Sequence, residues 1–340
     1  MLSRVADSIY WMQRYRERAE NIARLIDVNL FLSIDAPGED DQQWPPILMT
    51  TRGHELYQKL YGKPTQAGVL EFLTFDERNP DSIINCVHRS RENARSSRDT
   101  ITSEMWHELN LLYLFMQRTA AQPRKRIKSL FEFYSHIRRS CQLFTGIKDT
   151  TMSHNEAWHF GRIGNLLERA DQSSRILDVK YFILLPSVDH VGTPYDDILW
   201  AALLKSVSGL ETYRKIYHEI HHAHVVDFII SNREFPRSIH SCLWRARQSF
   251  GVLEPEFSSG GKAPAGHPVR RVQDLCVELE TLTVYDIVKR GVHEFLDQIQ
   301  CRIAEISNSI YDTYFAPLPG QEAPRDEVVA ENPSGGVEPS

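Results

Sequence analysis

The feature that most constrains this chain is an internal repeat whose unit is about 150 residues long. The segment Glu17–Val28 returns as Glu168–Val179, at an offset of 151 residues. Further matches keep the same order at an offset of 156: Trp44 with Trp200, Tyr57–Tyr61 with Tyr213–Tyr217, Val69–Phe72 with Val225–Phe228, Pro80–Ile83 with Pro236–Ile239, and Cys86 with Cys242. Solenoid repeats run about 20–50 residues, so this unit is a duplicated domain-sized module.

Helical spacing dominates both copies. Between Met12 and Leu30 the apolar residues recur every three or four positions, which places them along one face of a helix. Strand-like alternation is scarce. We therefore predict an all-α fold made of two tandem helical bundles that pack about a pseudo-twofold axis. The alternative is one intertwined bundle in which neither half folds alone.

The composition of the connecting segments sets the predicted boundaries. We expect a first helical repeat over residues 1–150 and a second over residues 151–315. Residues 316–340 are rich in Pro, Gly and Glu. Such a segment cannot bury enough apolar surface to fold, so we predict a disordered C-terminal tail.

Charge and cysteine usage narrow the compartment and the class of partner. The net charge is −6, and the last twenty residues hold five carboxylates against one arginine, so the body is nearly neutral. That balance argues against a broad nucleic-acid surface. The five cysteines are odd in number and well separated, as in proteins of reducing compartments. No stretch reaches the ~18–20 apolar residues of a membrane span. We predict a cytoplasmic protein that contacts neither nucleic acid nor membrane.

A stripe of charged residues runs beside the apolar face in each copy. Its members are Glu17, Glu20, Arg24 and Asp27 in the first copy, and Glu168, Asp171, Arg175 and Asp178 in the second. At these spacings neighbouring side chains are within reach on a helix. One interpretation is a structural ion-pair network that fixes helix register. The other is an anion- or metal-facing pocket between the two helices, whose candidate catalytic residues are Glu17, Arg18, Glu168 and Arg169.

Three arginines share one face of another predicted helix. Arg91, Arg95 and Arg98 are spaced at i, i+4 and i+7, and we call them the arginine row. A guanidinium matches a carboxylate or a phosphate in shape and charge. The same charges could equally form a solvated face paired with neighbouring acids. The candidate anion- or peptide-binding residues are Arg91, Glu92, Asn93, Arg95 and Arg98.

Histidines raise the question of a metal site. Glu219 and His222 form a Glu-x-x-His pair, and His218 precedes His222 by four residues in a histidine cluster that we place on one helix. Di-iron bundles use two such pairs with two further carboxylates. The chain has two further pairs of this kind, Glu104–His107 and Glu156–His159, and none of the three falls at matched positions of the two copies. We expect no metal or other cofactor, with His218, Glu219 and His222 as the metal candidates.

Taken together, these motifs resemble the bacterial alpha-E family, which is named for its helical content and a Glu-Arg motif. The resemblance covers nearly the whole chain up to about Phe315. It maps the Glu-Arg pair onto Glu17–Arg18 and again onto Glu168–Arg169. The stretch around Gln13 lacks the glycine of the motif, whereas the second copy has Gly161 and Gly164. The segments that carry the resemblance are Tyr10–Met12, Glu17–Asn21, Arg91–Arg95, Glu104–Trp106 and Leu167–Asp171.

The resemblance implies a role beside a ligase. Family members are encoded beside, or fused to, a circularly permuted ATP-grasp ligase, often with a transglutaminase-like protein. We therefore expect an accessory protein of a peptide synthesis or modification system, which binds the ligase or a carboxylate-rich peptide through the arginine row. Two alternatives stay open: an enzyme that uses a Glu/Arg pocket between the repeats, and a carboxylate/His metal-binding bundle. The sequence leaves open whether the protein is an enzyme.

Overall fold

The computed structural model describes residues 1–35, 44–122, 129–184, 194–258 and 261–316. Across these residues every regular element is a helix, so the predicted all-α class is confirmed. The tail predicted to be disordered falls, apart from its first residue, at 317–340, outside the described residues. None of the described helices combines the length and the apolar character that a membrane span requires.

The described chain has seven helices in its first half and nine in its second. In the first half they are α1 (Ser3–Asp35), α2 (Pro45–Thr50), α3 (His54–Tyr61), α4 (Gln66–Thr74), α5 (Ile83–Ser96), α6 (Ser103–Ala120) and α7 (Leu130–Thr151). In the second half they are α8 (Glu156–Leu184), α9 (Pro194–Ser206), α10 (Leu210–Tyr217), α11 (His222–Ile230), α12 (Ile239–Leu253), α13 (Pro255–Ser258), α14 (Pro268–Thr281), α15 (Val284–Arg290) and α16 (Val292–Ile310). A π-helical turn, Tyr311–Phe315, follows α16.

Part of the backbone repeats with the sequence. Helices α3 and α4 have the same lengths as α10 and α11, and each begins 156 residues before its counterpart. The turns between them also match, because Arg52 and Ser208 have φ angles of 56° and 55°. A positive φ is costly for a residue with a side chain. Its return at matched non-glycine positions shows that the two copies share a local backbone design, while the pseudo-twofold axis stays a prediction.

The same capping chemistry starts matched helices. Ser82 precedes α5 and its hydroxyl accepts from the backbone N–H of Asn85. Ser238 precedes α12 and accepts from the N–H of Ser241 in the same way. A serine at this position satisfies a helix N–H that has no partner inside the helix. The Pro-x-Ser-Ile segments recognised in the sequence are therefore the starts of equivalent helices.

Helix packing follows the same plan in both halves, around a central contact between α1 and α8. Helix α1 packs on α5 and α7, and α8 packs on the corresponding α12 and α16. A single cluster of buried apolar side chains includes residues of both halves, among them Trp44 and Trp200. The described residues thus share one core across the predicted boundary at residue 150, and independent folding of each half stays a prediction.

The two long helices approach closely because α8 contributes glycines. A Cβ on Gly164 would lie 2.5 Å from the backbone carbonyl oxygen of Tyr10, and a Cβ on Gly161 would lie 3.1 Å from a methyl group of Ile9. A backbone atom cannot give way to a methyl group without moving the helix. The first copy has Tyr10 and Gln13 at the matched positions, so only α8 contributes small residues to this contact. This approach brings the two Glu-Arg motifs within bonding distance.

Candidate functional site

The two Glu-Arg motifs pair with each other across the contact between α1 and α8. Arg169 donates to Glu17 through two bonds, Nε–Oε1 at 2.9 Å and Nη2–Oε2 at 3.0 Å. Arg18 donates to Glu168 in the same way, at 2.7 Å and 2.9 Å. Each glutamate is therefore bound by the arginine of the other copy, in the bidentate geometry that makes carboxylate–guanidinium bonds strong.

Further donors surround Glu17, whose side chain is fully buried. Arg237 Nη1 lies 2.9 Å from its Oε1, and Asn165 Nδ2 lies 2.6 Å from its Oε2. Arg16 adds a longer contact of 3.4 Å. Burial alone would raise the pKa of Glu17, but the charges of Arg169 and Arg237 hold that pKa well below its usual value.

Glu168 is equally buried and has a different set of neighbours. Arg14 Nε donates to its Oε2 at 3.0 Å, and Gln172 Nε2 donates to its Oε1 at 3.3 Å. Arg18 turns its remaining nitrogen, Nη1, to Asp81 at 2.5 Å. Burial opposes ionisation here too, and the charges of Arg18 and Arg14 outweigh it, lowering the pKa of Glu168 to about 2.

Both glutamates are thus ionised near neutral pH, and both are saturated with donors. A carboxylate with so low a pKa is a poor general base and carries no proton to give. The geometry supports the interpretation of Glu17, Arg18, Glu168 and Arg169 as an ion-pair network that fixes α1 against α8. A buried charge that has lost its partner is strongly destabilising. Because each pair joins a glutamate of one copy to an arginine of the other, separating the copies would leave such charges unpaired.

A small polar pocket of about 60 Å³ opens beside Arg18. Asp171 lies in its wall and accepts from Arg175 at 2.9 Å and 3.0 Å, and from Arg52 at 3.4 Å. Burial and the charge of Glu168 raise the pKa of Asp171 to about 6. We call this space the Arg18 pocket, and its lining residues are Arg18, Ile22, Thr50, Thr51, Arg52, Asp81, Asp171, Gln172 and Arg175.

The matched positions around Arg169 are closed by an arginine. Arg237 stands where the first copy has Asp81, at the offset of 156. Its guanidinium donates to Glu17, to Glu20 at 2.8 Å and to Asn21 at 3.0 Å. Asn21 is the counterpart of Gln172. Its amide oxygen therefore has a donor, whereas the Oε1 atom of Gln172 is buried with no hydrogen-bond partner among the described residues.

The arginine row is partly paired at the surface of α5. Arg91 donates to Glu92 at 2.6 Å and to Asn110 at 2.8 Å, and its guanidinium lies over the rings of Trp106 and Tyr113. Arg95 bonds the other oxygen of Glu92 at 2.8 Å. Glu92 therefore serves two arginines at once, as the solvated-face interpretation expected.

The other members of the predicted anion site lie beside this pair. Arg98 contacts Ser103 at 3.3 Å, and Asn93 donates to the backbone carbonyl of Arg89. The side chain of Arg95 is 68% exposed, against 23% for Arg91. Arg95 is thus the member of the row with most of its surface open to a partner.

The histidines of the metal hypothesis do not share a helix, and that expectation is wrong. Helix α10 ends at Tyr217, and His218 follows it with a φ of 63°. Glu219 lies between the helices, and His222 begins α11. The chain turns at His218, so the spacing of four residues does not place His218 over His222. Within the described parts of the chain, no group of three or more His, Cys, Asp or Glu residues could hold a metal ion.

The sequence argument did not single out Asp81, Arg52, Gln172 or Arg237 as site residues. One signal was present, because the aligned segments Pro80–Ile83 and Pro236–Ile239 place Asp81 opposite Arg237. This reversal of charge in the matched turns before α5 and α12 shows that the two copies have diverged at this position.

Comparison with known proteins agrees with the helical fold. The sequence model of the alpha-E family, described as a predicted alpha-helical domain with a conserved ER motif, matches residues 1–315. Uncharacterised proteins of Mycobacterium bovis and Mycobacterium tuberculosis are 23% identical over 351 aligned residues. The alignment covers 94% of this chain but 38% of each relative, so most of each relative lies outside the match. No solved structure matches the chain.

Proposed function

The chain belongs to the alpha-E family, and on that premise we propose that it is a binding partner of a circularly permuted ATP-grasp ligase in peptide synthesis or modification. It binds the ligase, or a carboxylate-rich peptide on which the ligase acts, and a transglutaminase-like protein belongs to the same system. The described cysteines are free thiols. That supports a reducing compartment, which we take to be the cytoplasm.

The observation that carries this proposal is the state of the two motif glutamates. Both are buried, doubly bonded to arginine and held ionised. A protein whose most buried carboxylates serve as fixed anions is suited to holding a shape that a partner recognises. The motif therefore supports a binding role more than proton transfer.

The arginine row supplies a surface that suits an acidic partner. Arg95 is largely exposed, and Glu92, its ion-pair partner among the described residues, also pairs with Arg91. A carboxylate on a partner can compete for Arg95, because exposed ion pairs are worth little. The aromatic rings of Trp106 and Tyr113 hold Arg91 in place beside it. This face of α5 and α6 therefore places an exposed arginine, Arg95, beside one that is held by aromatic rings, Arg91.

The length of the relatives is also consistent with work beside another domain. The matched region makes up 38% of the mycobacterial proteins, so in them the helical repeat is one part of a longer chain. Fusion and separate encoding are two ways to keep a binding partner close to its enzyme.

Coexpression with a circularly permuted ATP-grasp ligase from the same organism tests the proposal. We expect the tagged protein to copurify with the ligase, to change its rate of peptide-bond formation, and to show no turnover alone. The Arg95→Glu variant should weaken the association at least about 10-fold, as loss of a charge-assisted contact does. The control is Arg214→Glu, at another exposed arginine, on α10. A ligase that neither binds nor changes its rate contradicts the proposal.

Catalysis in the Arg18 pocket is the second candidate function, and one observation favours it. The pKa of Asp171 is raised to about 6, a value suited to acid–base work near neutral pH. If the protein alone turns over a peptide and Asp171→Asn abolishes that turnover, the enzyme hypothesis replaces the binding one. Turnover that survives this substitution would place the chemistry elsewhere.

A further inference from the structure

The duplication provides an internal template for what the Arg18 pocket accepts. In the second copy the matched space is occupied by the guanidinium of Arg237, which donates to the oxygens of Glu17, Glu20 and Asn21. In the first copy the shorter Asp81 stands at that position, and a pocket of about 60 Å³ remains. The protein's own arginine thus shows that this niche suits a positively charged group with several N–H donors.

The inner wall of the Arg18 pocket has a hydrogen-bond acceptor without a donor. Gln172 is 7% exposed, and its Oε1 has no hydrogen-bond partner among the residues that the structure describes. Its amide nitrogen is already committed to Glu168, so the orientation of the amide is fixed. A buried acceptor without a donor costs free energy. The carboxylates of Asp81 and Asp171 line the same space and are paired with Arg18 and Arg175. A bound ammonium group would supply the donor that Gln172 lacks and would lie beside both negative charges.

The outer wall of the Arg18 pocket carries arginines, which suit an anion. Arg18 and Arg175 are already committed to carboxylates in two-bond pairs. Among the described residues the guanidinium of Arg52 makes one long contact, 3.4 Å to Asp171, and its side chain is 60% exposed. Its remaining N–H groups can bind an anion at the mouth of the pocket. In the second copy the matched residue is Ser208, which offers no such charge.

We propose that the Arg18 pocket binds a free α-amino acid, with the amino group toward Gln172 and the carboxylate toward Arg52. A free amino acid places an ammonium and a carboxylate one carbon apart, which matches a small space with acceptors inside and a spare guanidinium outside. The site exists in one copy only, because Arg237 occupies its counterpart. This inference rests on the pocket alone and is independent of the ligase proposal.

Calorimetric titration of the full-length protein tests the proposal, with each common L-amino acid as a separate probe. At least one should bind. Its N-acetyl and C-terminal amide forms should bind at least about 10-fold more weakly, because each removes one charge-assisted contact. If no amino acid binds, or if acetate or methylamine binds as tightly as the best amino acid, the proposal is wrong.

Variants taken from the second copy locate the binding. Asp81→Arg introduces the guanidinium that closes the matched niche and should reduce affinity at least about 10-fold. Arg52→Ser introduces the residue that already adopts the same φ in the second copy, and it should reduce affinity to a similar extent. The control, Ser208→Arg, lies outside the pocket and should leave affinity unchanged. If Asp81→Arg fails to fold, Arg52→Ser decides, and undiminished binding in that variant overturns the proposal.

Discussion

Glu17 and Glu168 share one kind of partner, a bidentate arginine, and differ in their other neighbours. Each glutamate receives a bidentate arginine from the other copy. Around Glu17 the next partner is Arg237, which also bonds Glu20 and Asn21. Glu168 instead receives a bond from Arg14. Asp81, which is matched to Arg237 in the repeat, bonds Arg18 and not the glutamate.

This difference teaches how a duplicated bundle can keep its architecture and still specialise. The reciprocal pairs hold α1 to α8 and depend on both copies, so neither motif can change freely. The position of Asp81 and Arg237 is not part of those reciprocal pairs, and there the side chains diverged in charge and length. One copy filled its niche with its own arginine, and the other left a pocket open.

Neutralising the motif glutamates should have the largest effect and should expose the asymmetry. Glu17→Gln leaves Arg16, Arg169 and Arg237 facing a neutral group, and we expect a loss of about 3–5 kcal/mol in the free energy of unfolding. Glu168→Gln should cost less, near the lower end of that range, because Arg18 keeps its contact with Asp81. Urea unfolding of the full chain measures both. Equal losses, or losses below about 1 kcal/mol, contradict the comparison.

Removing the diverged side chains should separate the closed niche from the open one. Arg237→Ala should cost about 2–3 kcal/mol, since it breaks charge-assisted bonds to two buried carboxylates. Asp81→Ala should cost about 1 kcal/mol, because the side chain of Asp81 is 32% exposed and Arg18 keeps its ion pair with Glu168. The same unfolding measurements compare them. A larger loss of stability in Asp81→Ala than in Arg237→Ala would contradict the assignment of the Arg18 pocket as open and of its counterpart around Arg169 as closed.

Acid should weaken the protein through these same carboxylates. The pKa of Glu168 is about 2 in the folded chain, against 4.5 for an ordinary glutamate. Between those values the unfolded chain binds more protons, so stability falls as pH falls, by at most about 1.4 kcal/mol per pH unit from this group. In Glu168→Gln that contribution is absent, so the difference in free energy of unfolding between wild type and variant should narrow as pH falls from about 4.5 to about 2. Unfolding curves at several pH values measure the gap, and a constant gap would contradict the assignment.

The matched turns should show the smallest effects. Arg52 and Ser208 share a positive φ, so glycine at either position should relieve strain and stabilise the chain by at most about 1 kcal/mol. The gain at Arg52 should be smaller, because Arg52→Gly also removes the contact with Asp171. Thermal unfolding of the two glycine variants makes the comparison. Loss of stability in Ser208→Gly would show that the turn is not strained.

Sequence reasoning reached the repeat and the helices but only part of the site. The periodicity between Met12 and Leu30 predicted α1, and the matched segments Pro80–Ile83 and Pro236–Ile239 proved to end at the first residues of α5 and α12. These signals are local, and the residues that make them are close in the chain. The placement of His218 and His222 on one helix failed because α10 ends at Tyr217 and the chain turns at His218.

The sequence by itself determined that this protein is a duplicated helical chain in which two Glu-Arg segments occupy equivalent helices, because periodicity and capping act over a few residues. Only the tertiary structure decided that each glutamate binds the arginine of the other copy, since that depends on how closely α1 meets α8 at Gly164. It also decided which niche stays open. An arginine at position 237 reaches across to Glu20, and an aspartate at position 81 is too short to fill the matched space.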